Sequence, residues 1–180
     1  LPESTDVNQA FLDPAYSPVL PISEDAHLSV TFIDEGAGYR NSLGWFSWGE
    51  GVFDGLTKSD IDTNSSGIIS YDELTAIDGV TADWIFPNAS LEGSGGSLNT
   101  GDTVVINNGD TFAAGTNVSF FLGANTWSGG DIVGETSGAG ERNIFYGLDF
   151  LNPEALSAST YGSGGLNDDS RHVAMLFADE

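Results

Sequence analysis

Residues 62 to 73 read Asp-Thr-Asn-Ser-Ser-Gly-Ile-Ile-Ser-Tyr-Asp-Glu. Asp62, Asn64 and Ser66 fall at positions 1, 3 and 5 of that string, Gly67 at 6, Ile69 at 8, Ser70 at 9 and Glu73 at 12, which is the spacing of an EF-hand calcium loop. The chemistry explains the spacing. Alternate residues turn oxygen inward, the glycine allows a sharp turn, the Ile68 carbonyl contributes at position 7, and Glu73 closes the site. The expected ligands for Ca2+ are therefore Asp62, Asn64, Ser66, Ile68, Ser70 and Glu73. Only Asp62 and Glu73 are carboxylates in that set, and affinity rises with ligand charge, so a weak site of about 10⁻⁴ to 10⁻³ M is expected. A lone loop without a partner hand is expected to act as a structural clip.

Asp34, Glu35 and Arg40 form a second group, read either as a second ion site or as a structural acid cluster pinned by the arginine. Two carboxylates 4 Å apart repel by about 4 kcal/mol at an effective dielectric near 20, so clustered acids seek a cation. Among the four tryptophans, Trp48 and Trp127 are candidates for a glycan or peptide platform; the alternative is that all four fill the core. Trp45 and Trp48 are three apart, so an unbroken strand aims them at opposite faces. Catalysis finds no support: there is no GxSxG elbow, HExxH, phosphate-cradling GxxxxGK[ST] or strand-following GxGxxG. His27 and His172 stand far apart, and in the run Asp168-Asp169-Ser170-Arg171-His172, which could be drawn as a triad fragment, neighbours along a strand point to opposite faces. No enzymatic role is expected.

The loop needs elements on both sides. Thr57 and Asp60 have capping-box spacing before it, and Tyr71 to Ile77 carries the helical pattern of an exiting helix. Elsewhere short apolar or alternating runs (27–33, 43–48, 83–86, 103–107, 118–122, 143–148 and 172–177) are separated by turns rich in Gly, Asn, Asp and Ser. That rhythm predicts an all-β fold, an antiparallel β-sandwich, jelly-roll-like, with one short helical EF-hand-like insertion at about 56–79. Residues 27–180 are expected to form one domain. Four of six prolines lie in the first 21 residues, so residues 1–26 read as an extended arm able to span roughly 80 Å. Such an arm either wraps its own domain as an edge strand or reaches a neighbouring molecule.

With 27 Asp+Glu against 4 Lys+Arg, the formal net charge is -23, which excludes nucleic acid and anionic membrane surfaces as partners. The absence of cysteine excludes disulfides, thiolate metal sites and thiol nucleophiles. No run reaches the ~18 to 20 apolar residues of a spanning helix. A start at Leu1 without Met is expected of a mature secreted protein; the acid excess also suits a salt-adapted organism. Asn64, Asn88 and Asn117 each open an Asn-x-Ser sequon.

The strings at 30–46, 85–90, 93–104 and 120–125, with Leu1 to Ser4, Leu151 to Glu154 and Arg171 to Leu176, resemble the LruC-type bacterial surface domain, a group overlapping the domain of unknown function 4114. The resemblance implies an exported β-rich module of bacterial surfaces and matrices, often beside calcium-dependent adhesion regions, with no established reaction. Members continue past the equivalent of Phe177 into a further strand pair. Here the sequence stops at Ala178, Asp179 and Glu180, so it is expected to be a trimmed fragment or a fold whose missing strands are supplied from elsewhere. Together these readings predict a secreted, calcium-binding structural protein of the cell surface or extracellular matrix. Its expected partner is itself, as a homo-oligomer or as a filament built by strand donation from the arm. A glycan- or peptide-binding adhesin module is the alternative.

Overall fold

The computed structural model describes residues 19–35, 39–133 and 144–152. These residues form mostly antiparallel β-structure with few helices. The elements are β1 (Leu20–Pro21), β2 (Ser29–Thr31), β3 (Ser42–Trp48), α1 (Lys58–Ile61), α2 (Tyr71–Thr75), β4 (Val80–Phe86), β5 (Thr103–Val105), β6 (Asn117–Gly123), β7 (Trp127–Ser128), β8 (Asp131–Ile132) and β9 (Ile144–Tyr146). The run expected at 172–177 lies outside the described residues.

A five-stranded sheet places β3 between β4 and β6. Strands β1 and β9 share the far side of β6, β1 at Asn117 and Val118 and β9 at Phe121 to Gly123. Pro21, which has no N–H to donate, sits on this edge strand, where it is tolerated. Strand β3 is apolar on both faces because both are covered. Leu43 and Trp45 join Val118, Phe120, Ile85 and Phe86 on one face, whereas Phe46 and Trp48 join Phe121, Ile144 and Tyr146 on the other. A register shift between Leu43 and Gly44 sets Phe86 opposite Leu43, a bulge that turns both Ile85 and Phe86 toward the first face. Gly44 stands opposite Phe121, and a Cβ there would lie 2.1 Å from the Phe121 ring. That glycine is required because the ring occupies the space of its side chain.

The first face is covered by the β2–β5 ribbon. Residues 20–33 run antiparallel to 101–118 almost continuously, through Leu20↔Val118, the Ala26↔Phe112 bridge and Val30↔Val104. The first part of this pairing extends the main sheet; the second folds over it and buries Phe32, Ile106 and Phe112 against Trp45. Leu20 to Ala26, which fall in the expected arm, are thus bonded within their own domain, with the Ile22 N–H donating to the Thr116 carbonyl at 2.8 Å. Residues 1–18 lie outside the described residues.

The second face is covered by the segment between β3 and β4, the region predicted to carry the loop. Ile69 and Leu74 are fully buried there with Ile61 beneath Phe46 and Phe121. Burial of each such side chain contributes about 1.5–3 kcal/mol, so this segment is part of the core. Among the described residues no helix is long and apolar enough to cross a membrane.

Candidate metal centre

The helix entering the loop is only four residues long and depends on its cap. The Asp60 carboxylate accepts from the Thr57 N–H at 2.8 Å and from the Thr57 hydroxyl at 2.5 Å; these two bonds hold its pKa below the ordinary aspartate value. Asp62 closes α1 through its N–H to the Lys58 carbonyl, 2.8 Å. The chain then turns sharply through Ser65 at φ 57° and Gly67 at φ 84°, a left-handed geometry that glycine adopts freely.

Within this turn the oxygens of the odd-numbered loop positions gather. Asp62 Oδ1 and Asn64 Oδ1 accept from the same Ser66 N–H, at 3.0 and 2.8 Å. Asp62 Oδ2 accepts from the Gly67 N–H at 2.8 Å. The Ser66 hydroxyl donates to the Ile68 carbonyl at 2.9 Å and accepts from the Ile68 N–H at 3.1 Å. One carboxylate, one amide oxygen, one hydroxyl and one carbonyl therefore lie side by side, an all-oxygen set whose chemistry suits a hard cation such as Ca2+. Among the described residues no three His, Cys, Asp or Glu side chains cluster at a metal-binding spacing.

Glu73 is engaged differently. Its Oε1 accepts from the Thr63 N–H (2.8 Å), the Thr63 hydroxyl (2.9 Å) and the Asn64 N–H (3.2 Å). Its Oε2 accepts from the Ser70 N–H (3.0 Å) and hydroxyl (2.9 Å), while the Ser70 oxygen caps α2 by accepting from the Glu73 N–H at 3.2 Å. The side chain is 9% exposed. Burial pushes its pKa up, but the bonds from Ser70, Thr63 and Asn64 outweigh this and hold the carboxyl below the ordinary glutamate value. One carboxylate thus clasps loop positions 2, 3 and 9 together.

The loop is anchored to the sheet by residues far away in sequence. The Tyr146 hydroxyl donates to the Ile69 carbonyl at 2.7 Å, beneath the clasp. The Lys58 ammonium donates to the Gly67 carbonyl at 2.5 Å and to the Asn152 carbonyl at 3.2 Å. The Asn152 side chain in turn brackets Tyr146, accepting from its N–H at 2.7 Å and donating to its carbonyl at 2.9 Å. Sequence reasoning missed Lys58, Thr63, Tyr146 and Asn152. Only Lys58 and Thr63 lie close enough in the chain for local spacing to have flagged them.

Each member of the second group has a contact of its own. Glu35 Oε2 accepts from the Leu91 N–H at 3.3 Å, Asp34 Oδ1 accepts from the Glu35 N–H at 2.9 Å, and the Arg40 guanidinium lies against Gly95. Glu35 and Arg40 both brace the 90–96 loop. Of the tryptophan candidates, Trp48 is 8% exposed, stacked on Phe46 at 5.1 Å and edge-on to Phe53 at 5.3 Å. It is a core residue. Trp127 is half-buried and lines a cleft of about 410 Å³ with Ile85, Asn88, Ser97, Leu98 and Asp102. The amide of Asn88 donates to the Gly95 carbonyl at 3.0 Å, and its buried Oδ1 has no partner among the described residues. His27 is exposed, and His172 lies outside the described residues.

No family model matches the chain, and neither a curated protein nor a solved structure matches it.

Proposed function

We propose that this chain is a calcium-binding structural module, a β-sandwich with an EF-hand-like insertion whose ion locks the insertion onto the sheet. The observation that carries this reading is the convergence of Asp62 Oδ1 and Asn64 Oδ1 on one N–H, in a loop whose next residues bury Ile69 in the core. Asp62, Asn64, Ser66 and the Ile68 carbonyl would hold the cation, with Ser70 and Glu73 closing the loop around it. Bound there, Ca2+ supplies the positive charge that a chain of net charge -23 lacks, and reduces its self-repulsion. An extracellular setting at a bacterial surface or matrix belongs to the same proposal, as does self-association with further copies. Donation of the arm in trans would fall to residues 1–18, because Leu20 to Ala26 pair in cis. Titration calorimetry with calcium, repeated on Asp62→Asn, tests the reading: a heat of binding in the native chain and none in the variant supports it.

A second reading, a glycan- or peptide-binding module, draws on the cleft at Trp127. Its volume lies within the range of small-ligand sites, and it is mainly apolar with a few polar groups. Loss of oligosaccharide or peptide binding in Trp127→Ala, with calcium binding unchanged, would favour it.

A further inference from the structure

We infer that Glu73 and Ser70 position this loop and do not ligate its cation, which Asp62, Asn64, Ser66 and the Ile68 carbonyl hold and water completes. The inference rests on the calcium reading proposed above and assigns the roles within that site.

The acceptor capacity of one carboxylate decides between the two roles. An ionised glutamate offers about four lone-pair directions on its two oxygens. Glu73 fills them: Oε1 accepts from the Thr63 N–H at 2.8 Å, the Thr63 hydroxyl at 2.9 Å and the Asn64 N–H at 3.2 Å, and Oε2 accepts from the Ser70 N–H at 3.0 Å and the Ser70 hydroxyl at 2.9 Å. Each of these bonds is charge-assisted, the stronger class. An ion would take Glu73 only by breaking bonds of that class.

Ser70 is committed in the same way. Its hydroxyl oxygen accepts from the Glu73 N–H at 3.2 Å while donating to Glu73 Oε2, the reciprocal capping box of α2. That box starts a helix of five residues and precedes Leu74, which is buried in the core, so turning either side chain toward an ion would uncap α2. Thr63 is the residue that separates this loop from the expectation of a ligating Glu73. At position 2 it adds a hydroxyl to the N–H groups of Thr63 and Asn64 that hold Oε1.

Asp62 and Asn64 are placed the other way. Asp62 accepts one N–H on each oxygen, from Ser66 and Gly67, and Asn64 Oδ1 accepts one, from Ser66. Among the described residues these donors take about half of the lone pairs those oxygens offer. Residues 63–67 are exposed, whereas Glu73 is buried, so water has access to this side of the loop. One carboxylate then serves the ion, with neutral oxygens and water for the rest, which suits the weak affinity expected from ligand charge.

Terbium(III), a hard cation that replaces calcium at oxygen sites, reports the water bound to it through its luminescence lifetimes in H2O and D2O. With about eight oxygens around the ion, four from the protein leave about four waters, whereas all six expected residues with Glu73 bidentate leave about one. At one equivalent of terbium the native chain should therefore give about three or more waters, and Glu73→Gln the same count. Asp62→Asn should lose the signal that calcium displaces. About two or fewer waters in the native chain, or a different count in Glu73→Gln, would overturn the inference. The native count decides alone should Glu73→Gln fail to fold. Equal signals from the native chain and Asp62→Asn would instead overturn the calcium reading on which the inference rests.

Discussion

The Tyr146 hydroxyl and the Ile69 carbonyl, 77 positions apart in sequence, are joined by a buried hydrogen bond of 2.7 Å. Through it the last strand of the main sheet is tied to position 8 of the candidate calcium loop. Tyr146 also packs edge-on against Phe46 at 6.0 Å, so its ring belongs to the core while its hydroxyl serves the loop. Removing that hydroxyl alone separates the two roles. Tyr146→Phe is expected to lower stability by about 1–3 kcal/mol, the cost of leaving a buried carbonyl short of a donor. Urea denaturation checks this, with the slope unchanged if only the bond is lost.

Glu73 predicts an acid sensitivity of definite sign. Its folded pKa is depressed below the unfolded value, so the unfolded chain binds more protons in the interval between them. Its contribution is complete above the unfolded pKa, about 4.3, and is lost as pH falls through the lower folded value. Glu73→Gln, which presents an amide to five donors, should be less stable than the native chain by about 1–3 kcal/mol at neutral pH. The difference should shrink below about pH 4. Melting curves from pH 7 to pH 2 in chelator would reveal the convergence; a constant difference across that range would contradict the clasp.

Gly44→Ala is expected to destabilise although alanine suits a strand no worse than glycine. The added Cβ meets a ring that is itself fully packed between Trp84 at 4.9 Å and Tyr146 at 5.8 Å. Overpacking of this kind costs about 1–3 kcal/mol. Pairing the change with Phe121→Leu should recover part of the loss, which a double-mutant cycle measures.

Local spacing made the loop legible, because all of its candidate ligands lie within twelve residues. The strands at Leu43 to Trp48 and Val118 to Leu122 were legible as short runs, mostly apolar, each with one serine. The same runs concealed which face each side chain takes. A strand covered on both sides does not alternate in polarity, so Trp48 read as a candidate platform when it is a core residue. Val80 to Ala82 were missed at the start of β4, where a valine, a threonine and an alanine carry no clear period. β7 and β8, two residues each, are too short for any period. The anchors Tyr146 and Asn152 were invisible because only the fold brings them under the loop.

The proposed cation in the turn opened by Asp62 would fasten the insertion to the sheet through Ile69. Its most direct test is the melting temperature of the native chain in millimolar calcium and in chelator, alongside Asp62→Asn. At 10 mM, calcium stands about 10 to 100 times above a dissociation constant of 10⁻³ to 10⁻⁴ M and stabilises by about 1.4–2.7 kcal/mol, so it should raise the native melting temperature by several degrees and leave Asp62→Asn unmoved. Equal melting temperatures for the native chain in calcium and in chelator would contradict the account.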